Sequence, residues 1–163
     1  MRPEYLLPDL TQIGGRALVE VIDTLLALPI EEVLQQNEPN SNEAAIAILA
    51  TVKLTGERLS GDVRLQIPET FAGQAVSRLL GGRNSPNDTE VDDFAGELCN
   101  MIAGRVAGQL SEDGYRCVLE TPSVIRGSRF LLEPETGAGF GRTEWSCQGH
   151  SLTLHVQCHY RPT

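Results

Sequence analysis

A carboxylate and a carboxamide three residues apart, Glu97 and Asn100, are the side chains of this sequence whose types and spacing best suit chemistry. A glutamate can pair with a cation, and a carboxamide both donates and accepts hydrogen bonds, so it can hold a water molecule in place. Residues three apart on a helix lie on the same face. The two side chains are therefore expected to act together if the segment around them is helical.

Residues 89–110 are predicted to form that helix. Apolar residues recur there at the i, i+3, i+4, i+7 spacing of a buried face. The members of this face are Val91, Phe94, Ala95, Leu98, Cys99, Ile102 and Val106. Asp88 or Thr89 is the expected N-cap, and further acidic residues follow in the first turn, where the helix dipole favours negative charge.

The opposite face of this predicted helix has unusually little side chain. Besides Glu97 and Asn100 it carries Asp93, Gly96, Ala103, Gly104 and Ala107. A glycine inside a helix costs about 1 kcal/mol relative to alanine, so two glycines need a reason. One interpretation is a bare surface that lets the backbone of a partner come close. The other is that the glycines admit a neighbouring element of the same chain, and composition alone leaves both open.

Two runs of sequence carry a family resemblance. The helix of the CheC, CheX and FliY family of chemotaxis phosphatases, with its Glu-x-x-Asn pattern, closely resembles DFAGELCNMIAG at residues 93–104. The strand and turn that follow this helix in CheX proteins are similar to ETPSVIRG at residues 120–127. The resemblance is strongest to the CheX branch and covers roughly residues 42–158.

The resemblance implies a phosphatase that hydrolyses the aspartyl phosphate of a CheY-like response regulator. By analogy with the family, Asn100 would position the attacking water and Glu97 would pair with a lysine of the receiver domain. Asp93, Gly96 and Gly104 would frame the contact with this partner. The alternative is a non-catalytic module that docks a receiver domain, in chemotaxis or in another two-component pathway.

The expected reaction asks little of the phosphatase itself. In phosphoryl transfer the protein mainly places the nucleophile and stabilises spread charge. The receiver is expected to bring Mg²⁺, so no cofactor is expected for this chain. The family resemblance also implies a homodimer that joins two sheets, and residues 151–160 are the candidate edge strand.

The composition favours a cytoplasmic protein that binds another protein. The chain has 13 basic and 22 acidic residues and a formal net charge of −9. Without a basic cluster it is poorly suited to nucleic acid. The longest apolar run, residues 44–50, is far shorter than the roughly 18 residues that span a membrane. The N-terminus lacks the continuous apolar region of a signal peptide.

A second group of residues with chemical potential lies near the C-terminus. Cys147, His150, His155 and Cys158 have the residue types and pairwise spacing of a zinc site. However, the alternating apolar residues between the two histidines predict a strand, in which residues three apart point to opposite faces. No metal site is therefore expected.

The whole chain is predicted to be one α+β domain, in which helices pack on a largely antiparallel sheet. A helical segment is expected at residues 8–34, ending near Leu28 and Pro29, followed by a polar connector at 35–43 and the core at 44–160. The predicted core elements are strands 44–54 and 61–67, with a bulge near Gly61, helix 68–80, and strands 116–120, 130–133, 142–147 and 151–160. Leu79 and Leu80 are expected on the buried face of helix 68–80, and Gln148-Gly149 is expected to form the turn between the last two strands.

The predicted first helix contains a second, weaker match to the Glu-x-x-Asn pattern, Glu20-x-x-Asp23. An ionised aspartate cannot donate a hydrogen bond, so it is a poor substitute for a carboxamide. Glu20 and Asp23 are interpreted as part of a solvated face.

Overall fold

Helices pack on a single antiparallel sheet in the computed structural model, which describes residues 7–34, 45–82 and 85–161. This confirms the predicted α+β class and the single domain. The predicted connector at residues 35–43 lies outside the described residues. Within the described parts of the chain, no helix is long and apolar enough to cross a membrane.

One helix opens the described chain, three strands and then two helices follow, and four strands end it. The helices are α1 (Leu10–Leu26), α2 (Glu69–Leu79) and α3 (Asp88–Glu112). The strands are β1 (Glu31–Glu32), β2 (Ala47–Thr55), β3 (Leu59–Pro68), β4 (Val118–Leu119), β5 (Ser123–Gly127), β6 (Gly139–Cys147) and β7 (His150–Tyr160). The strand order is β1-β6-β7-β3-β2-β4, and β5 also pairs with β2.

The core lies between the helices and one face of the sheet. Alternate residues of the strands point into it, as the period of two in a strand requires. The strands contribute, among others, Ile48, Ala50, Val52, Val63, Leu65, Ile67, Leu152, Leu154 and Val156, and the helices contribute Leu18, Val21, Ile22, Leu98, Ile102 and Val106. Burying one such large aliphatic side chain contributes about 1.5–3 kcal/mol, so this layer fixes the position of α3 on the sheet.

The N-terminal helix is shorter than predicted. It ends at Leu26, where Ala27 takes the left-handed conformation with φ 51° and its N–H bonds to the carbonyl of Asp23. Pro29, which has no N–H to donate, follows. The remaining part of the predicted segment 8–34 contains a short strand, Glu31–Glu32, which pairs with β6.

The hairpin of β2 and β3 forms as predicted, but without the expected bulge. The two strands pair residue for residue, and Leu54 lies opposite Gly61. A Cβ atom at Gly61 would clash with the carbonyl oxygen of Gln157 in β7. The glycine is therefore explained by close approach of the neighbouring strand and not by a bulge.

Three further expectations are wrong. Residues 130–133 form no strand. Leu79 and Leu80, predicted to be buried, are each 47% exposed because α2 ends there. Strand β7, the candidate edge for a dimer, lies inside the sheet between β3 and β6.

Candidate functional site

Helix α3 is held on the sheet by the face that the periodicity predicts. All seven of its predicted core residues are buried. The Cys99 thiol donates to the backbone carbonyls of Ala50 and Val63, 3.5 Å away in each case. Burial raises the pKa of Cys99 to about 12, so this group stays a neutral thiol and is no nucleophile. With this face anchored, the opposite face of α3 points away from the core.

The N-terminus of α3 is capped one residue earlier than predicted. The Asn87 side chain accepts from the backbone N–H of Glu90, and the Glu90 side chain accepts from the backbone N–H of Asn87. This reciprocal capping box satisfies two groups that would otherwise lack partners. Asp88 and Glu90 place negative charge in the first turn, where the helix dipole favours it.

Four of the five predicted site residues fall on one stripe of α3. Asp93, Glu97, Asn100 and Gly104 follow the i, i+4, i+7, i+11 spacing of a single helix face. Asp93, Glu97 and Gly104 are exposed, and Asn100 is half-buried. These four residues form the α3 stripe.

The two polar side chains at the centre of the stripe are left unpaired. In the described chain, the α3 side chains that form hydrogen bonds or ion pairs are those of Asp88, Glu90, Asp92, Cys99, Arg105 and Gln109. Neither Glu97 nor Asn100 is among them. A polar group held at the surface without an internal partner is available to bind an external one.

Gly96, the fifth predicted site residue, has an internal explanation. It is buried, and a Cβ atom there would lie 3.3 Å from Val124 Cγ2 and 3.6 Å from Pro122 Cβ. Ala103 and Ala107, expected on the bare face, are buried as well. The interpretation in which small residues admit an element of the same chain therefore accounts for this flank of α3.

Gly104 differs from Gly96. It is exposed, and the nearest atom to a Cβ there would be Leu119 Cδ1 at 3.8 Å, an ordinary contact distance. Nothing in the described chain requires a glycine at this position. The missing side chain at Gly104 thus leaves open surface beside Asn100.

Arg126 is a residue near this region whose contribution the sequence did not indicate. Its Nε donates to Asp92 Oδ1 at 2.7 Å, its Nη2 donates to the carbonyl of Asp88 at 3.2 Å, and its Nη1 pairs with Glu69. Arg126 belongs to the ETPSVIRG run, but its partners lie 34 to 57 residues away in the sequence. Only the fold brings them together.

The residues with zinc-ligand types do not converge. His150 contacts Thr70 and Gln74 through its ring nitrogens. Cys158 lies in the core, whereas His155 packs against Phe140 on the other face of the sheet, with ring centroids 4.5 Å apart and the rings tilted by 56°. Among the described residues no group of three or more potential ligands could hold a metal ion.

The second Glu-x-x-Asn-like pair is also accounted for. Glu20 accepts from Arg105 of α3 at 2.9 Å, an ion pair across the two helices, and Asp23 is exposed. Both groups fit the interpretation of a solvated face.

A family model for "Chemotaxis phosphatase CheX" matches residues 48–142, more than half of the chain and all of the α3 stripe. The chain belongs to the CheX family. This confirms the resemblance noted from the two runs of sequence. Among curated proteins, none matches the sequence.

Solved structures share the fold of this CheX family member at low identity. The chemotaxis protein CheX from Vibrio vulnificus is 19% identical, with a TM-score of 0.76 over 98% of this chain and 99% of its own. CheX from Desulfovibrio desulfuricans is 21% identical, with a TM-score of 0.72 over 90% and 97%. CheX from Borrelia burgdorferi, solved in a complex with CheY, BeF3 and Mg²⁺, is 14% identical, with a TM-score of 0.64 over 93% and 98%.

Proposed function

We propose that this chain hydrolyses the aspartyl phosphate of a CheY-like response regulator, with the α3 stripe as its site. The observation that carries the proposal is that Glu97 and Asn100, one helical turn apart on an exposed face, form no hydrogen bond or ion pair within the described chain. The chain that carries them belongs to a chemotaxis phosphatase family. The relative from Borrelia burgdorferi in complex with CheY supports the choice of partner.

Asn100 is assigned the role of positioning water. Its carboxamide oxygen can accept a hydrogen bond from the attacking water while its NH₂ group donates to a phosphoryl oxygen. An amide at this place is neutral, so it does not repel the phosphoryl group as a carboxylate would. Asn100 therefore acts as a glutamine does in GTPases, in which that glutamine orients the attacking water.

Glu97 is assigned the role of docking. Its exposed carboxylate can pair with the lysine of the receiver domain, which fixes the receiver relative to Asn100. Within an interface, such a pair loses water, and removing one partner then leaves an unpaired charge. The shape of the stripe supports this role, since Gly104 leaves the helix backbone open to close approach and Asp93 adds a second exposed carboxylate.

The proposed hydrolysis of the receiver's aspartyl phosphate needs no metal bound to this chain. Mg²⁺ carried by the receiver would neutralise charge on the phosphoryl group as part of the substrate. The residues of this chain then act by orientation: Glu97 fixes the docked register and Asn100 places water in line with the scissile bond.

The decay of a phosphorylated CheY-like receiver with Mg²⁺ tests this proposal. Wild type is expected to accelerate the decay, and Asn100→Ala is expected to lose about 100-fold or more of that acceleration, as when one transition-state hydrogen bond is removed. Binding to the beryllofluoride-activated receiver should stay within about threefold, because Asn100 acts after docking.

Gln109→Ala is the matched control, since it removes a carboxamide from the same helix outside the stripe. With this variant, the phosphorylated receiver should decay as fast as it does with wild type. If wild type binds the receiver without accelerating decay, the chain is the non-catalytic docking module and the catalytic assignment is abandoned.

We also propose that the chain acts in the cytoplasm, where response regulators lie, and as a homodimer. In the described chain β5 pairs with β2 alone, so its other side offers a free strand edge. Light scattering on the purified protein measures the mass directly, and a monomer at micromolar concentration would rule the dimer out.

A further inference from the structure

A short connector of three residues, 120–122, joins β4 to β5 beside the proposed site. The backbone N–H of Glu120 donates to the carbonyl of Lys53 at 3.0 Å. On either side of the connector, Leu119 pairs with Leu54 and Ser123 pairs with Thr51, both in β2. The connector is thus tied to the edge of the sheet at both ends.

The connector runs along α3 next to Asn100. Gly96, Asn100 and Gly104 follow one another at intervals of four residues, so they form one ridge of the helix. Pro122 lies against Gly96 and Leu119 lies against Gly104. The chain from Leu119 to Pro122 thus spans the length of this ridge, whose middle residue is Asn100. Residues 120–122 therefore form a wall of the proposed docking surface.

Arg126, four residues after the connector, fastens β5 to both neighbouring helices. Each nitrogen of its guanidinium contacts a different group: Nε contacts Asp92, Nη2 the carbonyl of Asp88, and Nη1 the carboxylate of Glu69. The Arg126 side chain is only 24% exposed. Partial burial lowers the pKa of Arg126, but its hydrogen bond to Asp92 and the surrounding carboxylates raise it overall, so the cation is maintained.

An arginine is needed for this arrangement. Its planar group presents several donors at fixed angles, whereas the ammonium of lysine is a single point of charge on a flexible stem. Without any cation here, the carboxylates of Glu69, Asp88 and Asp92 would face one another unopposed. Their repulsion would loosen the contact of β5 with α2 and the start of α3, while β5 stays paired with β2.

We propose that Arg126 is a positioning residue for the receiver-docking surface, holding β5 and the connector against α3 so that the wall beside Asn100 is in place before a partner docks. A surface that is already ordered does not lose conformational freedom on binding, which favours affinity. The inference rests on the proposed function, because it concerns the same partner.

Binding of a beryllofluoride-activated CheY-like receiver with Mg²⁺ tests the role of Arg126. Arg126→Gln is expected to raise the Kd about fivefold, the size of effect usual for residues that act on a site without touching the ligand. The same variant should speed hydrogen exchange of the backbone in residues 118–127. Arg126→Lys keeps the charge but cannot reach three groups, so it should resemble Arg126→Gln and not wild type.

Arg142→Gln is the matched control, because it removes the same charge from a half-buried ion pair with Glu144 in β6. It should leave both the Kd and the exchange of residues 118–127 unchanged. Asp92→Ala removes the α3 partner of Arg126 and should also raise the Kd. Combined with Arg126→Gln it should add little, since the two residues share one interaction.

The outcomes separate the two proposals. If wild type neither binds nor dephosphorylates CheY-like receivers, the proposed function fails, and the role of Arg126 fails with it. If wild type is active but Arg126→Gln binds as tightly as wild type, only the positioning role is overturned. Full rescue by Arg126→Lys would also overturn it, since charge alone would then suffice.

Discussion

On the sheet face away from the helices, Asp62 binds its polar neighbours, whereas on the α3 stripe the polar side chains bind nothing in the described chain. Asp62 accepts from Arg64 at 3.3 Å and from the buried Gln157 at 3.1 Å. Glu97 and Asn100 have no such partners. Both regions carry residue types that can do chemistry, so residue type alone does not mark the site. An exposed polar group without an internal partner, held on a rigid element, is the better indicator. The ring nitrogens of His155 on the other face also lack partners, but that residue is fully buried.

The largest effect on stability is expected at the Asp62 cluster. Asp62→Ala leaves Arg64 and Gln157 without their acceptor in a setting where the Asp62 side chain is 12% exposed. We expect the free energy of unfolding to fall by about 2–3 kcal/mol, because buried polar groups lose their partners. Urea denaturation measures this change.

The same variant should bind the activated receiver with unchanged affinity when binding is measured at a temperature well below its midpoint of thermal unfolding. Weaker binding by a folded Asp62→Ala protein would show that the two regions are coupled, and the contrast between them would then be wrong. Asn100→Ala should show the reverse pattern, with full stability and lost activity.

A smaller effect is expected from pH at His155 on the same face. Burial lowers the pKa of His155 from its usual 6.5; Asp62 opposes this shift, and Arg64 and Arg142 add to it. The folded protein thus holds a neutral imidazole, and the unfolded chain takes up a proton first as pH falls. The stability from this residue is complete above pH 6.5 and is lost below it, toward the folded pKa.

The free energy of unfolding should therefore be lower at pH 5.5 than at pH 7.5, by at most about 1.4 kcal/mol, the limit for one group with an unfolded pKa of 6.5. His155→Leu should remove that part of the acid dependence, which urea titrations at the two pH values can measure. Equal acid sensitivity in wild type and His155→Leu would contradict the assignment.

The smallest effect on stability is expected on the stripe itself. Gly104→Ala adds a methyl group in ordinary contact distance of Leu119, 3.8 Å away. It should raise the free energy of unfolding by about 0.5–1 kcal/mol, the difference in helix propensity. If the receiver docks closely at this position, the same variant should bind it more weakly.

Gly108→Ala provides the control on the same helix, since a Cβ there meets nothing within 4 Å. It should stabilise the fold to a similar degree without changing the Kd. Should both variants leave binding unchanged, Gly104 would not belong to the docking surface.

Much of this fold was predictable because its signals are local. The seven residues on the buried face of α3 were identified by their spacing, and all are buried. The turn between β6 and β7 was indicated by Gln148-Gly149, and both residues take positive φ, 52° and 77°. Such features depend on neighbours within a few residues, which a sequence displays directly.

The errors lie where distant contacts decide. Residues 130–133 have an apolar pattern like that of a strand, but in the structure Phe130 donates its N–H to the Gln66 side chain and Leu132 is buried without strand pairing. Strand β7 looked like an edge, although pairing on both sides makes it central. The order of strands in a sheet is a long-range property that no local pattern contains.

The sequence by itself determined the family, the helix that carries Glu97 and Asn100, and the stripe on which they lie, because helical spacing alone places residues on a face. Only the tertiary structure decided what surrounds the stripe. It buried Gly96 under β5, left Gly104 open and joined Arg126 to two helices. These contacts join residues far apart in the chain, so they exist only once the sheet has assembled and the helices have packed on it.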